Sequence, residues 1–471
     1  MYVVGACPVH SVPGYKFVAG GYASVYQRPV LVEIASDFTT QLGNSSDWVS
    51  FPPCEVYDAA FVEGNVSPMM VTNLFDPFSM STAQTLPTAP VVNLTVAIAQ
   101  EVILASLVVT GQGGVTYVEG TDFAFSYDDE TLKSATLQIY ASSPMAVETT
   151  VDLAFSVPDF TKIDKDAVIG GVDVDGNYLG LENIEKVYSV TGHVPATVLT
   201  PGYASDPEVI AAANSHCQSI NNGRFRAIFL PDIDPEAVKK YGDIYDWKNQ
   251  HNAVSAFEVA GWPSLPLGTK LYHFSTILAV QLASTDAANG NIPFESPSNK
   301  VANIDGTCLA DGTPVDVDLG QADAIENWGV MTAVNQNGWR LIGDYTCAYP
   351  ADTDVHDFWI NERRMFNWLG NTLGLTLAQE IDKPGNGRTL ASIAETIAQF
   401  GNSLVSVGAA NTFRVRFLPE ENLAEQIMAG IYTYHILWTP PTPVRTLDLL
   451  LEYSVEDLTA WISQITIPGT S

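Results

Sequence analysis

Positive charge is scarce in this 471-residue chain, which has 21 Lys and Arg residues against 53 Asp and Glu residues and a formal net charge of −32. A chain this acidic is not expected to bind DNA or an anionic membrane over a broad face, because those surfaces repel it. Two explanations of the excess acid stay open. It forms an ordinary solvated surface, or it complements a basic surface on a partner.

Long apolar runs are also missing. No run approaches the ~18 apolar residues of a membrane span, and Met1 to Pro8 has neither the basic start nor the apolar length of a signal peptide. We therefore expect synthesis and folding in a cytoplasm, with release by cell lysis.

Cysteine is sparse and shows no pairing pattern. The five residues are odd in number and lack a Cys-x-x-Cys spacing, which argues against a disulfide framework or a zinc site and predicts buried or spare thiols. They are Cys7, Cys54, Cys217, Cys308 and Cys347.

What the chain does have is apolar content, at 46%, and enough length for two to four domains. Residues 1–40 are expected to be an extended N-terminal arm, since prolines keep the segment out of helix and Val30 to Ile34 is rich in β-formers. Residues 41–90 form a turn-rich connector that contributes to the core.

Residues 91–165 change character. Short β runs such as Val102 to Thr110 and Val151 to Phe155 are separated by Gly and Asp turns. This spacing predicts an inserted, outward-facing all-β sandwich or barrel.

The remainder alternates helices with strands. Residues 166–350 predict a mixed α/β core, with one helix capped by Asp206 and a second beginning at Asp234. Residues 351–471 predict a small α/β module that ends in a β-rich arm, Leu447 to Tyr453. The expected class is α+β and multidomain, with a mixed α/β core and extended terminal arms.

Three motifs that resemble chemical sites have simpler structural explanations. Asp173 to Asn177 begins like a calcium loop, but its glycine comes too early, so we expect a turn. His216 and Cys217 are adjacent and do not face each other on a helix, which favours a structural role. Gly111 to Gly114 lies between β runs, which predicts a hairpin turn rather than a phosphate loop.

A pair of carboxylates, Asp232 and Asp234, has the residue types of an acid–base couple. The two prolines beside them favour N-terminal capping of the predicted helix instead. We therefore predict no catalytic residue, no metal site and no cofactor.

The most informative segment is Leu271 to Lys300. The apolar run Ile277 to Leu282 leads into Ser284-Thr-Asp286, and Ala287-Ala-Asn-Gly290 predicts a turn because Asn and Gly tolerate positive φ. Ser296-Pro-Ser-Asn-Lys300 follows. We expect a rigid elbow between two packed elements.

This segment resembles the contractile tail sheath proteins of long-tailed phages and phage-tail-like bacteriocins. Three further stretches are similar to the same family: Gly192 to Tyr203, Trp359-Ile-Asn-Glu-Arg-Arg364, and Phe413 to Tyr453 with its Pro419-Glu-Glu-Asn422. The resemblance spans roughly residues 185–455. The N-terminal portion and the β insertion agree in layout only.

The resemblance implies a structural protein without enzymatic activity. Its expected partners are further copies of itself in stacked hexameric rings, a tail tube, and baseplate and tail terminator proteins, with no direct nucleic acid and no membrane insertion. It implies a place in a virion tail or bacteriocin particle, where contraction drives the tube through a cell envelope. The competing hypothesis is a virion-associated glycan-binding or glycan-hydrolysing protein.

The resemblance also nominates contact residues. Strands exchanged between subunits would involve Val30, Leu31, Val32, Leu447, Leu449 and Leu451. Glu420, Glu421 and Glu425, on the predicted helix Glu421 to Met428 and its lead-in Pro419-Glu420, would face the tube, and helix capping is the alternative explanation for these acids. Arg363 and Arg364 are either an exposed pair bonded to Glu362 or Glu380, or a subunit contact.

Overall fold

The computed structural model describes residues 1–12 and 25–465. The chain divides into two units, Met1–Pro441 and Thr442–Ser471. Among the described helices, none combines the length and the apolar character needed to cross a membrane.

In chain order the strands are β1 Tyr2–Gly5, β2 Pro29–Val32, β3 Met69–Asn73, β4 Ser81–Pro90, β5 Thr95–Ile98, β6 Val108–Gly111, β7 Thr116–Tyr117, β8 Phe123–Tyr127, β9 Ala135–Ile139, β10 Thr150–Pro158, β11 Gly171–Val172, β12 Tyr178–Leu179, β13 Thr197–Leu199, β14 Ile228–Phe229, β15 Ala260–Gly261, β16 Leu265–Leu267, β17 Lys270–Tyr272, β18 Lys300–Val301, β19 Val330–Asn335, β20 Trp339–Ile342, β21 Thr412–Arg416 and β22 His435–Thr439.

The helices are α1 Ala35–Gln41, α2 Pro53–Tyr57, α3 Lys165–Ile169, α4 Ile184–Thr191, α5 Pro207–Gln218, α6 Ile244–Gln250, α7 Phe274–Ala288, α8 Leu319–Glu326, α9 Val355–Phe358, α10 Ile360–Thr376, α11 Gly387–Ser406, α12 Ala424–Met428 and α13 Val455–Ser463.

The main core is built on a five-stranded sheet with the order β14-β13-β1-β3-β2. Four of its strands run parallel, and β2 pairs antiparallel with β3 at one edge. Its strands are apolar and buried, as expected for a sheet covered on both faces. A second sheet, β15-β19-β20-β18, shares the same hydrophobic core.

The predicted N-terminal arm over residues 1–40 is part of the chain's own core wherever the structure describes it. Residues Tyr2–Gly5 form a central strand of the main sheet, and Val30 and Val32 are 7% and 0% exposed in β2. Burying these valines stabilises the chain's own core by roughly 1.5–3 kcal/mol each, which opposes their donation to a neighbour. Residues 13–24 of the predicted arm lie outside the described residues.

The β insertion begins earlier than the sequence predicts. Strand β4, within the predicted connector, pairs with β10 along eight residues of register, from Ser81↔Pro158 to Pro90↔Thr150. Two sheets, β4-β10-β6-β7 and β5-β9-β8, enclose a hydrophobic core separate from the main one. The predicted Gly111 hairpin is confirmed, since β6 and β7 pair across it.

A predicted helix at Asp234 is absent. Residues 235–237 make a single turn there, with Asp234 Oδ1 accepting from Glu236 N at 2.8 Å. The carboxylate of Asp232 caps a different helix, α7, and is therefore not available to start a helix at this position. The neighbouring helix α5 does begin as predicted, with Asp206 accepting from Glu208 N and Val209 N.

The last part of the first unit packs α10 and α11 against the hairpin β21–β22 around a third hydrophobic cluster. The predicted long helix is broken at Trp359, whose ψ of 128° separates α9 from α10. Gly401 of α11 lets the hairpin approach closely, because a Cβ there would sit 1.9 Å from the ring of Phe413.

The second unit contains a segment of residues 442–453 without regular secondary structure, followed by α13, which is capped by Ser454 accepting from Asp457 N. The predicted strand Leu447 to Tyr453 is not formed in the described chain, where these residues pair with no other strand. Its leucines are exposed, with Leu450 and Leu451 at 98% and 96%.

Candidate assembly surfaces

The predicted elbow is present and leads from α7 to β18. Helix α7 ends at Ala288, and the turn after it uses positive φ at Gly290 and Asn291. The side chain of Asn289 donates to Glu295 Oε2 at 2.8 Å, and Lys300 pairs with the other oxygen of that carboxylate. The turn is therefore fixed by side chains from both of its ends.

Two of the sequence motifs meet at this elbow. Asp286, near the end of α7, forms a two-pronged ion pair with Arg364 of α10, with Nη1 3.1 Å from Oδ1. Asn361, in the same motif as Arg364, donates to the carbonyl oxygens of Phe294 and Pro441, both at 3.1 Å. The motif residues thus connect the elbow to the helical region of the same chain.

The expectation for Arg363 and Arg364 as an exposed pair is wrong. The two residues are 9% and 5% exposed, and neither forms an ion pair with the predicted partners Glu362 or Glu380. Arg363 bonds to Asp357 at 2.8 Å and lies over the ring of Phe257 at 4.8 Å. Their burial also argues against the subunit contact, since both guanidinium groups are already engaged within the chain.

The predicted tube helix is shorter than expected. Residues Pro419–Glu421 form a 3-10 turn and only Ala424–Met428 is α-helical. Glu420 and Glu425 are exposed, whereas Glu421 Oε1 lies 2.7 Å from His435 Nδ1 on the hairpin. Glu421 therefore has a role within the module, and the tube contact itself stays a prediction.

A cavity of about 1000 Å³ lies at the start of α7 and is lined by several carboxylates. Asp232 accepts from Ser275 N at 2.7 Å and Ser275 Oγ at 2.5 Å, and Glu55 accepts from His273 N at 2.7 Å. Both acids therefore cap α7, where the helix dipole favours negative charge.

The same cluster contains a histidine with altered basicity. Burial lowers the pKa of His273, but the Glu55 carboxylate 2.6 Å from its Nδ1 outweighs this and raises it to about 9. Burial raises the pKa of Asp232. Asp232 caps α7, and Asp234 accepts a hydrogen bond within its own turn. The two carboxylates therefore do not converge as a hydrolytic acid–base couple.

The other candidate chemical sites have structural partners. Asp173 accepts from the backbone of Asp175 and Asn177, which confirms the predicted turn. His216 lies 3.6 Å from Glu182, while Cys217 is buried in the core. All five cysteines are buried, and burial raises the pKa of each thiol.

One group in the described chain has the residue types of a metal site: Asp354, His356 and Asp357. The three already bond to one another, with Asp354 Oδ1 at 2.6 Å and Asp357 Oδ2 at 3.3 Å from opposite ring nitrogens of His356. Asp357 also holds Arg363. A metal would have to replace these bonds.

Comparisons with known proteins favour the structural hypothesis over the glycan-related one. The chain is 23% identical over 354 residues to the tail sheath protein of Burkholderia phage BcepMu, covering 74% of this chain and 72% of that one. It is 24% identical over 326 residues to the tail sheath protein of Escherichia phage P2, covering 67% and 78%. This chain is a relative of the phage tail sheath proteins.

Those tail sheath proteins are structural components and not enzymes, in agreement with the expectation from the motifs. No family model matches the chain. Among solved structures, a sheath complex of an extracellular contractile injection system in the contracted state has 18% identity and a TM-score of 0.49, covering 64% of this chain and 82% of that one. A sheath tail protein from Desulfitobacterium hafniense has 12% identity and a TM-score of 0.45, covering 88% and 89%.

Two features of this tail sheath relative were missed from its sequence. One is the Asp286–Arg364 ion pair. The scarcity of cations indicated that an arginine would be paired with an acid, but it did not indicate which acid. The other is α13, whose apolar residues recur at helical spacing, a pattern visible in the sequence. They are Leu458, Trp461, Ile462 and Ile465.

Proposed function

We propose that the protein is a structural subunit of a contractile tail sheath. It polymerises with copies of itself as stacked hexameric rings around a tail tube, between baseplate and tail terminator proteins. Contraction drives the tube through a cell envelope. The subunit is made in the bacterial host cytoplasm and acts in a virion tail or bacteriocin particle released by lysis.

The observation that carries this proposal is the leucine-rich segment of residues 447–453 before α13, which is exposed and pairs with no strand in the described chain. A stretch rich in leucine that stands unpaired and exposed is costly for an isolated protein and is suited to pairing with another chain. A donated strand gives main-chain hydrogen bonds to an acceptor sheet, so subunits stay linked while their bodies move. Free edges for pairing exist on β2 and on the hairpin β21–β22 within the described chain.

Assembly is tested with the purified full chain by light scattering and negative-stain microscopy. We expect large particles with the appearance of hollow striated cylinders, formed on concentration or with tube protein. A chain that stays monomeric under both conditions contradicts the proposal.

The role of residues 447–453 is tested by a substitution that removes one backbone N–H donor. Leu449→Pro deletes an N–H that a paired strand requires, whereas Leu449→Thr keeps the N–H and introduces a β-branched side chain that favours a strand. We expect the proline variant, and a chain ending at Thr446, to stay folded but to lose cylinders. Normal cylinders from both altered chains would place the linkage elsewhere.

A further inference from the structure

A groove of about 560 Å³ runs along one face of α10, and we name it the α10 groove. Its other side is formed by residues 64–68 and 192–194, and its floor by the last turn of α7 and Pro293. The α10 side chains lining it recur at i, i+3, i+4, i+7, i+8 and i+11. They are Arg364, Asn367, Trp368, Asn371, Thr372 and Leu375.

The groove combines apolar surface with uncompensated positive charge. Its one lining carboxylate in the described chain, Asp286, is paired with Arg364. Arg226 is also at the groove and is exposed, and no described carboxylate forms an ion pair with it. Asn371 holds the Arg226 backbone through bonds of 2.9 and 2.8 Å. In a chain of net charge −32, a free guanidinium held in place beside an apolar groove indicates an acidic, apolar partner.

Helix α13 has the complementary chemistry. Leu458, Trp461 and Ile462 of the helix and Ile465, two residues beyond its end, are spaced i, i+3, i+4 and i+7, and each is at least 37% exposed. Glu456 and Asp457 lie in its first turn. A nine-residue helix is marginal in water by itself, so this apolar face needs a surface to pack against.

We propose that the α10 groove of one copy binds helix α13 of a second copy, a contact that rests on the proposed self-assembly and names a receptor for the C-terminal segment. The lining residues of α10 extend over eleven positions, about 16 Å, and the four α13 anchors over seven positions, about 10 Å. Trp461 and Ile462 pack against Trp368 and Leu375, while the acidic first turn faces Arg226. This is recognition of an amphipathic helix by a groove.

The test is a disulfide between two differently substituted full-length chains. Leu375→Cys marks the groove and Ile462→Cys marks the helix, while the five native thiols are buried and do not compete. We expect a covalent dimer when the two variants are mixed under mild oxidant, and little with either alone. The matched control replaces Leu375→Cys by Val174→Cys, a fully exposed position on the turn after β11.

Charge reversal gives an independent measurement. Arg226→Glu is expected to lower the yield of cross-linked dimer about two- to fivefold, as for loss of an exposed charge pair. Adding Glu456→Arg and Asp457→Arg to the partner chain should restore it. An unchanged yield in Arg226→Glu contradicts the proposed orientation of α13.

Light scattering on the same samples separates this contact from assembly as a whole. Large particles without the Leu375–Ile462 cross-link overturn the groove proposal and leave the sheath proposal standing. A cross-linked dimer that never forms particles supports the groove and contradicts the sheath proposal. A third sample is a chain that carries both cysteines, and a cross-link that forms only within such a chain overturns binding to a second copy. If the samples show no particles and no cross-link, both proposals are overturned.

Discussion

At the scale of single residues, the scarce cations of this chain are mostly used inside it. Lys248 is 2% exposed and donates to two backbone carbonyls, and Lys270 pairs with Asp58 at 2.8 Å. Arg363 and Arg364 hold α10 to its surroundings. Much of the negative charge is therefore left on the surface. Arg226 is one of several exposed cations without an ion pair in the described chain, and it is the one that lines the α10 groove.

The Asp286–Arg364 pair gives the first prediction. Asp286→Ala leaves a buried guanidinium without its carboxylate, which we expect to destabilise the protein by ~3–5 kcal/mol. Chemical denaturation measures the change. The matched control is Glu380→Ala, which breaks the exposed pair with Lys383 and should cost ~0–1 kcal/mol. Equal losses of stability in the two variants would show that the Asp286–Arg364 pair contributes no more to stability than an exposed ion pair.

Glu258 gives a prediction about pH. Burial raises the pKa of its carboxyl to about 7 from an ordinary 4.5, and its Oε1 has no hydrogen-bond partner among the described residues. The folded protein therefore holds a proton that the unfolded chain releases. Stability from this group is present below pH 4.5 and is lost as pH rises through 7, by at most ~1.4 kcal/mol per pH unit.

Glu258→Gln keeps a neutral side chain of similar shape and should flatten that dependence. Thermal unfolding between pH 5 and pH 8 compares the two proteins, and the exposed Glu236→Gln serves as the control. If wild type and Glu258→Gln lose stability in parallel over this range, Glu258 is not the group that titrates.

At the scale of elements, the β insertion shows how far local sequence reaches. Its strand-turn pattern predicts the sandwich, but β4 was missed because Ser81–Pro90 has prolines, polar residues and only one buried position. Its partner β10 alternates buried and exposed residues and was found. Pairing over about sixty residues, not local propensity, makes β4 a strand.

This difference gives a prediction about independent folding. A fragment of residues 81–158 keeps β4 paired with β10 and should show β circular dichroism and a cooperative melt. A fragment of residues 91–160 lacks β4 and should be much less stable or unfolded. Folding of both would show that β4 is dispensable, and folding of neither would show that contacts with the rest of the chain, such as Lys133 with Asp47, are required.

The helices show the same limit of local sequence patterns. Asp206 with Pro207 predicted α5 correctly because a cap acts on the backbone next to it. Asp232 and Asp234 had the same local signal, but Asp232 bonds across 43 positions to Ser275. Sequence patterns therefore located caps and turns well, and failed where a side chain was claimed by a distant element.

At the scale of the whole molecule, the motif order predicted the similarity to tail sheath proteins, while the surfaces proposed for assembly were only partly predictable. The C-terminal leucines are exposed as a donor segment requires, but the equivalent N-terminal residues belong to the core sheet. An alternating apolar pattern is the same for a strand donated to a neighbour and for one kept at the edge of its own sheet. Only the tertiary structure separates these two cases.

The acidic face around α12 gives the last prediction. Glu420 and Glu425 are exposed with no ion partner in the described chain, whereas Glu421 is engaged by His435. If this surface faces basic groups on a tail tube, each pair contributes only ~0.2–1 kcal/mol, but the contact repeats around every ring. Glu420→Lys with Glu425→Lys should therefore weaken co-sedimentation with tube protein, and high salt should weaken wild-type binding similarly.

The matched control for that surface is Glu395→Lys with Glu236→Lys, two exposed acids on α11 and on the turn at residues 235–237 that together make the same change in net charge. Circular dichroism must be unchanged in all variants, since a short helix such as α12 also gains from acids in its first turn. Loss of tube binding in the variant with Glu420→Lys and Glu425→Lys alone assigns the contact to this face. Equal binding by all variants excludes it, and equal loss in the control attributes the effect to overall charge instead.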